Sequence, residues 1–284
     1  MRGRLHSTLR DRRAISHHYD LSNDFYALIL DPSMAYSCGY FESPDATLEQ
    51  AQTAKLDLVC RKLDLQPGMR LLDVGCGWGS LSLHAAEHYG ARVVGVTISR
   101  EQQAFVARRI VERGLGDRVE VRLQDYRRIP ETGFDAVGSL EMGEHVGARN
   151  YPAYAAVLHR AVRPGGRVLV QQMSRPGAGG GRHPGGGPFI ESFIAPDMTM
   201  RPLGETVALL EDAGLEVRGV QALREHYVAT VAGWLRNLEA HRERLTDLVG
   251  EEVVRVWRLY LVGGSMAFRD GRMGVDQITM ERPR

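Results

Sequence analysis

The stretch LLDVGCGWGS (71–80) carries the densest chemical signal in the chain: Asp73 at a strand end, then glycine at 75, 77 and 79, leading into a helix. Glycine at alternate positions lets the backbone turn tightly and lets a ligand lie against it with no Cβ in the way. Dinucleotide-binding folds use a G-x-G-x-x-G turn at this place to cradle a pyrophosphate. Here the spacing is G-x-G-x-G, which suits a nucleoside ligand without a pyrophosphate. The second strand ends at Thr97-Ile98-Ser99, where such folds put an acid on the ribose hydroxyls. That acid is missing, so the hydrogen bonding falls to the hydroxyl and amide groups of Thr97, Ser99 and Gln102. Gln124-Asp125-Tyr126 follows the third strand, with an acceptor for an adenine amino group and an aromatic face for stacking; a tyrosine here also serves as plain packing.

Those residues need a sheet to hold them. From Arg70 onward short apolar runs alternate with helical stretches: RLLDVG (70–75), a helix from about Ser80, ARVVGVTIS (91–99), a helix after Arg100, RVEVRL (118–123) and FDAVGSL (134–140). A helix from about Tyr151 and the turn Arg163-Pro164-Gly165-Gly166 then precede GRVLVQQM (166–173). The alternation predicts a parallel sheet. GAGGGRHPGGG (177–187) is too rich in glycine and proline for a regular element and reads as a mobile loop, a lid or a linker. A helix near 204–213, a strand EVRGVQAL (216–223), a long helical region from about Tyr227 to Phe268 and a last strand GVDQITME (274–281) complete the chain. Segment 1–66 and the helical insertion at about 226–270 are the material available to build a substrate pocket over a domain spanning 67–284.

At 284 residues, 43% hydrophobic and 25% charged, the chain has room for one core with appended helices. No apolar run approaches the roughly 18 residues of a membrane span and no signal peptide opens the chain, so a soluble, cytoplasmic protein is expected. Cys38, Cys60 and Cys76 are too few and too irregular for a disulfide framework or a zinc site, and no metal is expected. A net charge of +1 argues against nucleic acid as a partner. The first eighteen residues nevertheless hold Arg2, Arg4, Arg10, Arg12 and Arg13 against Asp11 alone, an arm suited to transient contact with an anionic inner membrane face or to plain solvation.

D-V-G-C-G-x-G resembles the first motif of the class I S-adenosylmethionine-dependent methyltransferases. Three further stretches, YDLSNDFYALILDPSMAYSCGYF (19–41), GVTISREQ (95–102) and EHVG (144–147), make the sequence similar to the cyclopropane fatty acid synthase family, which includes the mycolic acid methyltransferases. The resemblance runs from about His17 to the final VDQITMER. It implies a Rossmann-like α/β fold, a mainly parallel seven-stranded sheet with helices on both faces and added helices over the substrate pocket. It also implies S-adenosylmethionine as cofactor, with Tyr36 and Ser37 closing over it and Gly75, Gly77, Thr97, Gln102 and Tyr126 beneath. Asp73, Cys76, Ile98, Ser99, Gln124 and Asp125 complete the expected pocket, and a homodimer is compatible with the resemblance.

The chemistry so implied is methylation of a carbon–carbon double bond in an unsaturated acyl lipid, within a phospholipid. An alkene is a feeble nucleophile, and its attack leaves a carbocation, so the site must exclude water and then remove one proton. Family members hold a bicarbonate as that base through a cysteine, a glutamate, a histidine and a tyrosine. By motif these are Cys38 in YSCGYF, Glu144 in EHVG and Tyr227 in REHYVATVAGW, but Gln171 stands at the histidine position and cannot carry a proton. Glu141 stands where cyclopropane-forming members have glycine, adding a second carboxylate that is a candidate base in its own right. Proton loss from the incoming methyl closes a cyclopropane; a hydride shift followed by loss of a neighbouring proton gives a methylene branch, the precursor of a methyl branch. The segment FIESFIAPDMTMRPLGETV (189–207) looks more like the methyl-branched, tuberculostearate-type relatives.

Two other readings stand beside this one. A small-molecule N- or C-methyltransferase would tolerate Cys38→Ala or Glu144→Gln, changes expected nearly to abolish alkene methylation. A cofactor-binding protein without catalysis would have no use for Cys38, Glu144 and Tyr227 together. Trp234 and Trp257 read as core residues.

Overall fold

The computed structural model describes residues 22–177, 187–195 and 197–284. The basic arm and most of the glycine-rich segment lie outside them. Two helices precede the sheet. α1 (Asn23–Ile29) is capped by Ser22, and α2 (Leu48–Lys62) opens on a capping box between Thr47 and Gln50 that satisfies two orphan end groups at once. The strands and helices then alternate as β1 (Arg70–Val74), α3 (Ser80–Tyr89), β2 (Arg92–Thr97), α4 (Arg100–Glu112), β3 (Val119–Leu123), β4 (Phe134–Leu140), α5 (Tyr151–Ala161) and β5 (Val162–Ser174). After α6 (Pro188–Phe193) come α7 (Leu203–Asp212), β6 (Glu216–Ala222), α8 (Arg224–Ala240), α9 (Arg242–Val249), α10 (Glu251–Arg269) and β7 (Gly274–Glu281).

The seven strands form one sheet in the order β3-β2-β1-β4-β5-β7-β6, and only the pairings of β7 are antiparallel. Successive side chains of β1 serve opposite faces, as a two-residue period requires. Leu71 packs with Val59, Leu63 and Leu81 on one side, and Leu72 with Phe134, Tyr151 and Leu158 on the other. A third apolar cluster, with Phe25, Tyr26, Trp234 and Trp257, joins α1 to α8 and α10.

Two sequence expectations change. The turn at 163–166 is absorbed into β5 as a bulge, because Phe134 pairs with Val162 but Ala136 pairs with Arg167. The long helical region is three helices, broken at His241 and at Gly250, whose φ of 85° no helix interior accepts.

In this strand order the chain runs one way from β1 and the other way from β4, so a crevice opens between the C-terminal ends of those two strands. The glycine turn follows β1 and the loop carrying Glu141 and Glu144 follows β4. Fold topology alone therefore brings the two motifs side by side.

Candidate active site

Gly75, Gly77 and Gly79 all have left-handed backbones, with φ of 79°, 54° and 81°. A Cβ on Gly75 would stand 2.6 Å from Met142 Cγ, so the turn and the loop after β4 are packed as close as glycine permits. The cleft at this turn is lined by Tyr36, Ser37, Asp73, Gly75, Cys76 and Gly77, with Gln102 and Glu141 at its sides. Asp73 is buried, accepts from Ser82 Oγ at 2.6 Å, and is pushed up to about 6 by desolvation. Thr97 Oγ1 donates to Gln102 Oε1 at 2.8 Å, and Ser99 caps α4 by accepting from the Gln102 amide. Ile98 is half-buried between them.

The residues after β3 have other partners. Gln124 Nε2 donates to the Arg128 carbonyl, and Asp125 holds Arg127 at 2.6 Å and stays below its ordinary pKa: burial raises it, but the Arg127 hydrogen bonds and charge outweigh that. Tyr126 is buried, and its ring packs in the core edge-on against Tyr154, with Arg127 over it.

On the other side of the crevice three distant segments converge on one carboxylate. Glu141 Oε1 accepts from the Cys38 backbone N–H at 2.7 Å and from Gln171 Nε2 at 2.8 Å, while Oε2 accepts from the Tyr227 hydroxyl at 2.6 Å. Glu144 stands apart from this set. Its Oε1 accepts from the Met173 amide at 2.5 Å, and its buried Oε2 has no hydrogen-bond partner among the described residues. Burial raises both carboxyls. Glu141 is pulled back by its three donors and by Lys55, whereas Glu144 is raised further by the charge of Glu141, to about 8. Burial thus favours the neutral form of each carboxyl, and the charge of one opposes ionisation of the other.

Cys38 takes part through its amide. Its thiol is buried, donates to the carbonyls of Gly39 and Leu223, has a hydrogen bond with the Thr230 side chain, and is held well above its usual pKa by burial and by Glu141. The contact Cys38 makes with Glu141 is through its backbone N–H, which Cys38→Ala leaves in place.

Sequence reasoning missed Lys55, which is fully buried and donates from Nζ to Ser37 Oγ at 2.7 Å. Burial lowers its pKa, and Glu141, Asp31, Cys38 and Asp73 act in the opposite sense. A signal was available: Ala51, Gln52, Lys55, Leu56 and Val59 form the buried stripe of α2, and a lysine in such a stripe needs a reason.

Beyond Tyr227 lies an apolar cavity of about 610 Å³. Its walls include Met173, Val231, Trp234, Tyr260 and Phe268, and its charged lining residues are Arg175 and Arg272. The wall between cavity and cleft is aromatic. Tyr36 on the cleft side lies 5.2 Å from the Trp234 ring, and its hydroxyl is 3.2 Å from that of Tyr260. Trp257 is core, as expected, but Trp234 is both core and cavity wall.

Comparison with known proteins adds independent evidence. Residues 6–278 match the family described as mycolic acid cyclopropane synthetase. A "probable fatty acid methyltransferase" of Pseudomonas putida is 45% identical over 99% of this chain and 72% of its own length. The structure of the cyclopropane synthase MmaA2 from Mycobacterium tuberculosis superposes with a TM-score of 0.89 at 33% identity, covering 98% of this chain and all of that one. Mycolic acid cyclopropane synthase CmaA1 complexed with SAH and CTAB gives 0.88 at 34% identity, over 95% and 98% of the two chains.

Proposed function

The chain belongs to the mycolic acid cyclopropane synthetase family, and from that membership we propose that it methylates the double bond of an unsaturated fatty acyl chain, using S-adenosylmethionine. The product of the methyl transfer is a cyclopropane or a methylene-branched chain. The observation that carries this reading is the junction of two cavities: Glu141 lines the cofactor cleft, its partner Tyr227 lines the apolar cavity, and 2.6 Å separates their oxygens.

The cleft suits S-adenosylmethionine. Three left-handed glycines bring backbone against the ligand, Gln102 and Ser37 offer polar groups at the rim, and no pyrophosphate cradle is required. Bound there, the cofactor supplies an electrophilic methyl on a positive sulfur. The protein's share is to hold the alkene against that methyl, keep water out and receive a proton. The cavity volume lies within the ~300–1,000 Å³ typical of ligand pockets, and its wall is greasy enough to seat an acyl chain. Tyr36, Tyr227, Trp234 and Tyr260 surround the junction, and their ring faces favour the cation that alkene attack creates. A small amine would need neither the long apolar cavity nor the buried oxyanion cradle, which favours carbon over nitrogen as acceptor.

Arg175 and Arg272 fit an anionic headgroup at the mouth, and exposed Leu259 and Met266 border the same opening. We read this rim as the place of transient membrane contact for a phospholipid substrate at the inner membrane face. Among the described residues no helix is long and apolar enough to cross a membrane. The segment ending at residue 66 serves as a cap on the methyltransferase domain, 67–284.

The test is incubation with methyl-labelled S-adenosylmethionine and vesicles of oleoyl phospholipid, followed by mass spectrometry of the acyl chains. A gain of one methylene unit is expected, with proton NMR separating ring from branch. Absence of any mass gain would sink the reading.

A further inference from the structure

The resemblance to bicarbonate-using enzymes makes the cradle around Glu141 informative, because three of the four groups expected to hold bicarbonate, all but Glu144, are already in use. The Cys38 amide, the Gln171 side-chain amide and the Tyr227 hydroxyl all end on the Glu141 carboxylate. A bicarbonate placed there would lack those three donors and would sit against a like charge. The residues present do not fit it.

Backbone and side-chain evidence agree that the arrangement is built for a resident carboxylate. Glu141 holds a φ of 51°, a left-handed conformation that costs an L-residue more than the glycine that relatives carry. That strain persists because the side chain is fixed at three points. The direction of Gln171 is also set from outside the site. Lys62 Nζ can only donate, and it donates to Gln277 Oε1 at 2.6 Å, which leaves Gln277 Nε2 to donate to Gln171 Oε1 at 2.8 Å. Gln171 must then present its NH₂ group to Glu141. A histidine at this position could hold or release a proton; this glutamine is locked as a donor. Glu141 and Gln171, the two residues that stand out from the pattern the resemblance implies, thus form one hydrogen-bonded unit.

We propose that Glu141 is the resident base of this enzyme and takes the place of bicarbonate. The step balances without another reactant. The alkene π pair forms the new C–C bond as the methyl C–S bond breaks, S-adenosylhomocysteine departs, and the carbocation is left beside Glu141. The Glu141 carboxylate then takes one proton, and the released C–H pair closes the ring or forms the new double bond. The neutral Glu141 returns its proton to solvent before the next turnover. This inference rests on the acyl-methylation reading and deepens it.

The experiment compares wild type, Glu141→Gln and Glu141→Gly on oleoyl phospholipid vesicles, in buffer stripped of carbon dioxide and in the same buffer with millimolar bicarbonate. Wild type should turn over equally in both. Glu141→Gln, which keeps the shape of the side chain, should lose on the order of a hundredfold or more in kcat while binding S-adenosylmethionine normally. Glu141→Gly should be slow in stripped buffer and recover with bicarbonate. In parallel, NMR of carbon-labelled bicarbonate should show binding to Glu141→Gly and none to wild type. A wild-type rate that falls without bicarbonate, bicarbonate binding to wild type, or near-normal turnover by Glu141→Gln would each overturn the proposal. Lack of lipid product from wild type in either buffer would instead sink the acyl reading, since the NMR arm judges the cradle on its own.

Discussion

The cofactor cleft and the carboxylate cradle face each other across one crevice, yet they are built in opposite ways. The cleft draws Asp73, Gly75, Gly77 and Gly79 from a single strand–turn–helix unit, where backbone conformation does the work. The cradle gathers Cys38, Glu141, Gln171 and Tyr227 from four segments, with 103, 30 and 86 residues separating Glu141 from its partners. Function held in backbone conformation has almost no freedom to vary. Function held in converging side chains can be exchanged, provided the partners change together.

If that contrast is right, the cleft should be the less forgiving side. Gly75→Val puts a β-branched residue at a φ of 79° and its Cβ within 2.6 Å of Met142. Backbone strain and collision together should cost about 3 kcal/mol, on the order of a hundredfold in S-adenosylmethionine affinity by calorimetry. A variant that binds the cofactor within a few-fold of wild type would break the comparison at its firmer end.

Tyr227→Phe tests the cradle. It removes one charge-assisted hydrogen bond to Glu141 and leaves the apolar ring in place. The expected loss in kcat is roughly 10- to 100-fold, matching ~1.5–3 kcal/mol for such a bond, with cofactor affinity unchanged. Removing the donor also raises the Glu141 pKa, so the alkaline shift of the rising limb in a pH–rate profile separates this role from a loss of packing.

The same contrast decides what the sequence reveals. The turn after β1 is legible because its residues are neighbours and glycine spacing maps directly onto backbone geometry. The strands were legible for the same reason, apart from the bulge at 163–166, where a Pro-Gly-Gly turn signal could not show that the sheet continues through it. Tyr126 was ambiguous because stacking and packing call for the same ring, and Tyr154 supplies the packing partner. The cradle was legible only as two separate anomalies, Glu141 and Gln171, since nothing local says that their side chains meet. Lys55 escaped because its role depends on Ser37, eighteen residues away on a segment without regular structure.

Glu144 offers a finer test, because its burial lacks the donors that Glu141 enjoys. Its pKa of about 8 lies above that of an unfolded glutamate, so the folded state keeps a proton that the unfolded state has lost. Stability should therefore fall as pH rises from about 4.3 through 8, and the penalty should be complete above that range. Glu144→Gln mimics the neutral acid and should remove the slope. In denaturant titrations it should match wild type near pH 4 and exceed it by several kcal/mol at pH 9, about 1.4 kcal/mol for each unit of the raised interval. A wild-type slope that survives the substitution would place the proton elsewhere.

Cys38→Ala should have the smallest effect and separates amide from thiol. The backbone N–H that meets Glu141 at 2.7 Å is untouched by the change, whereas the thiol makes weak contacts to two carbonyls and to Thr230. Because burial and the neighbouring carboxylate keep that thiol protonated, it has no charge to contribute either. Removing a buried sulfur should cost about 1 kcal/mol of stability and no more than about threefold in kcat. A hundredfold loss with cofactor binding intact would return the side chain to the chemistry and make the cradle less exchangeable than its wiring implies.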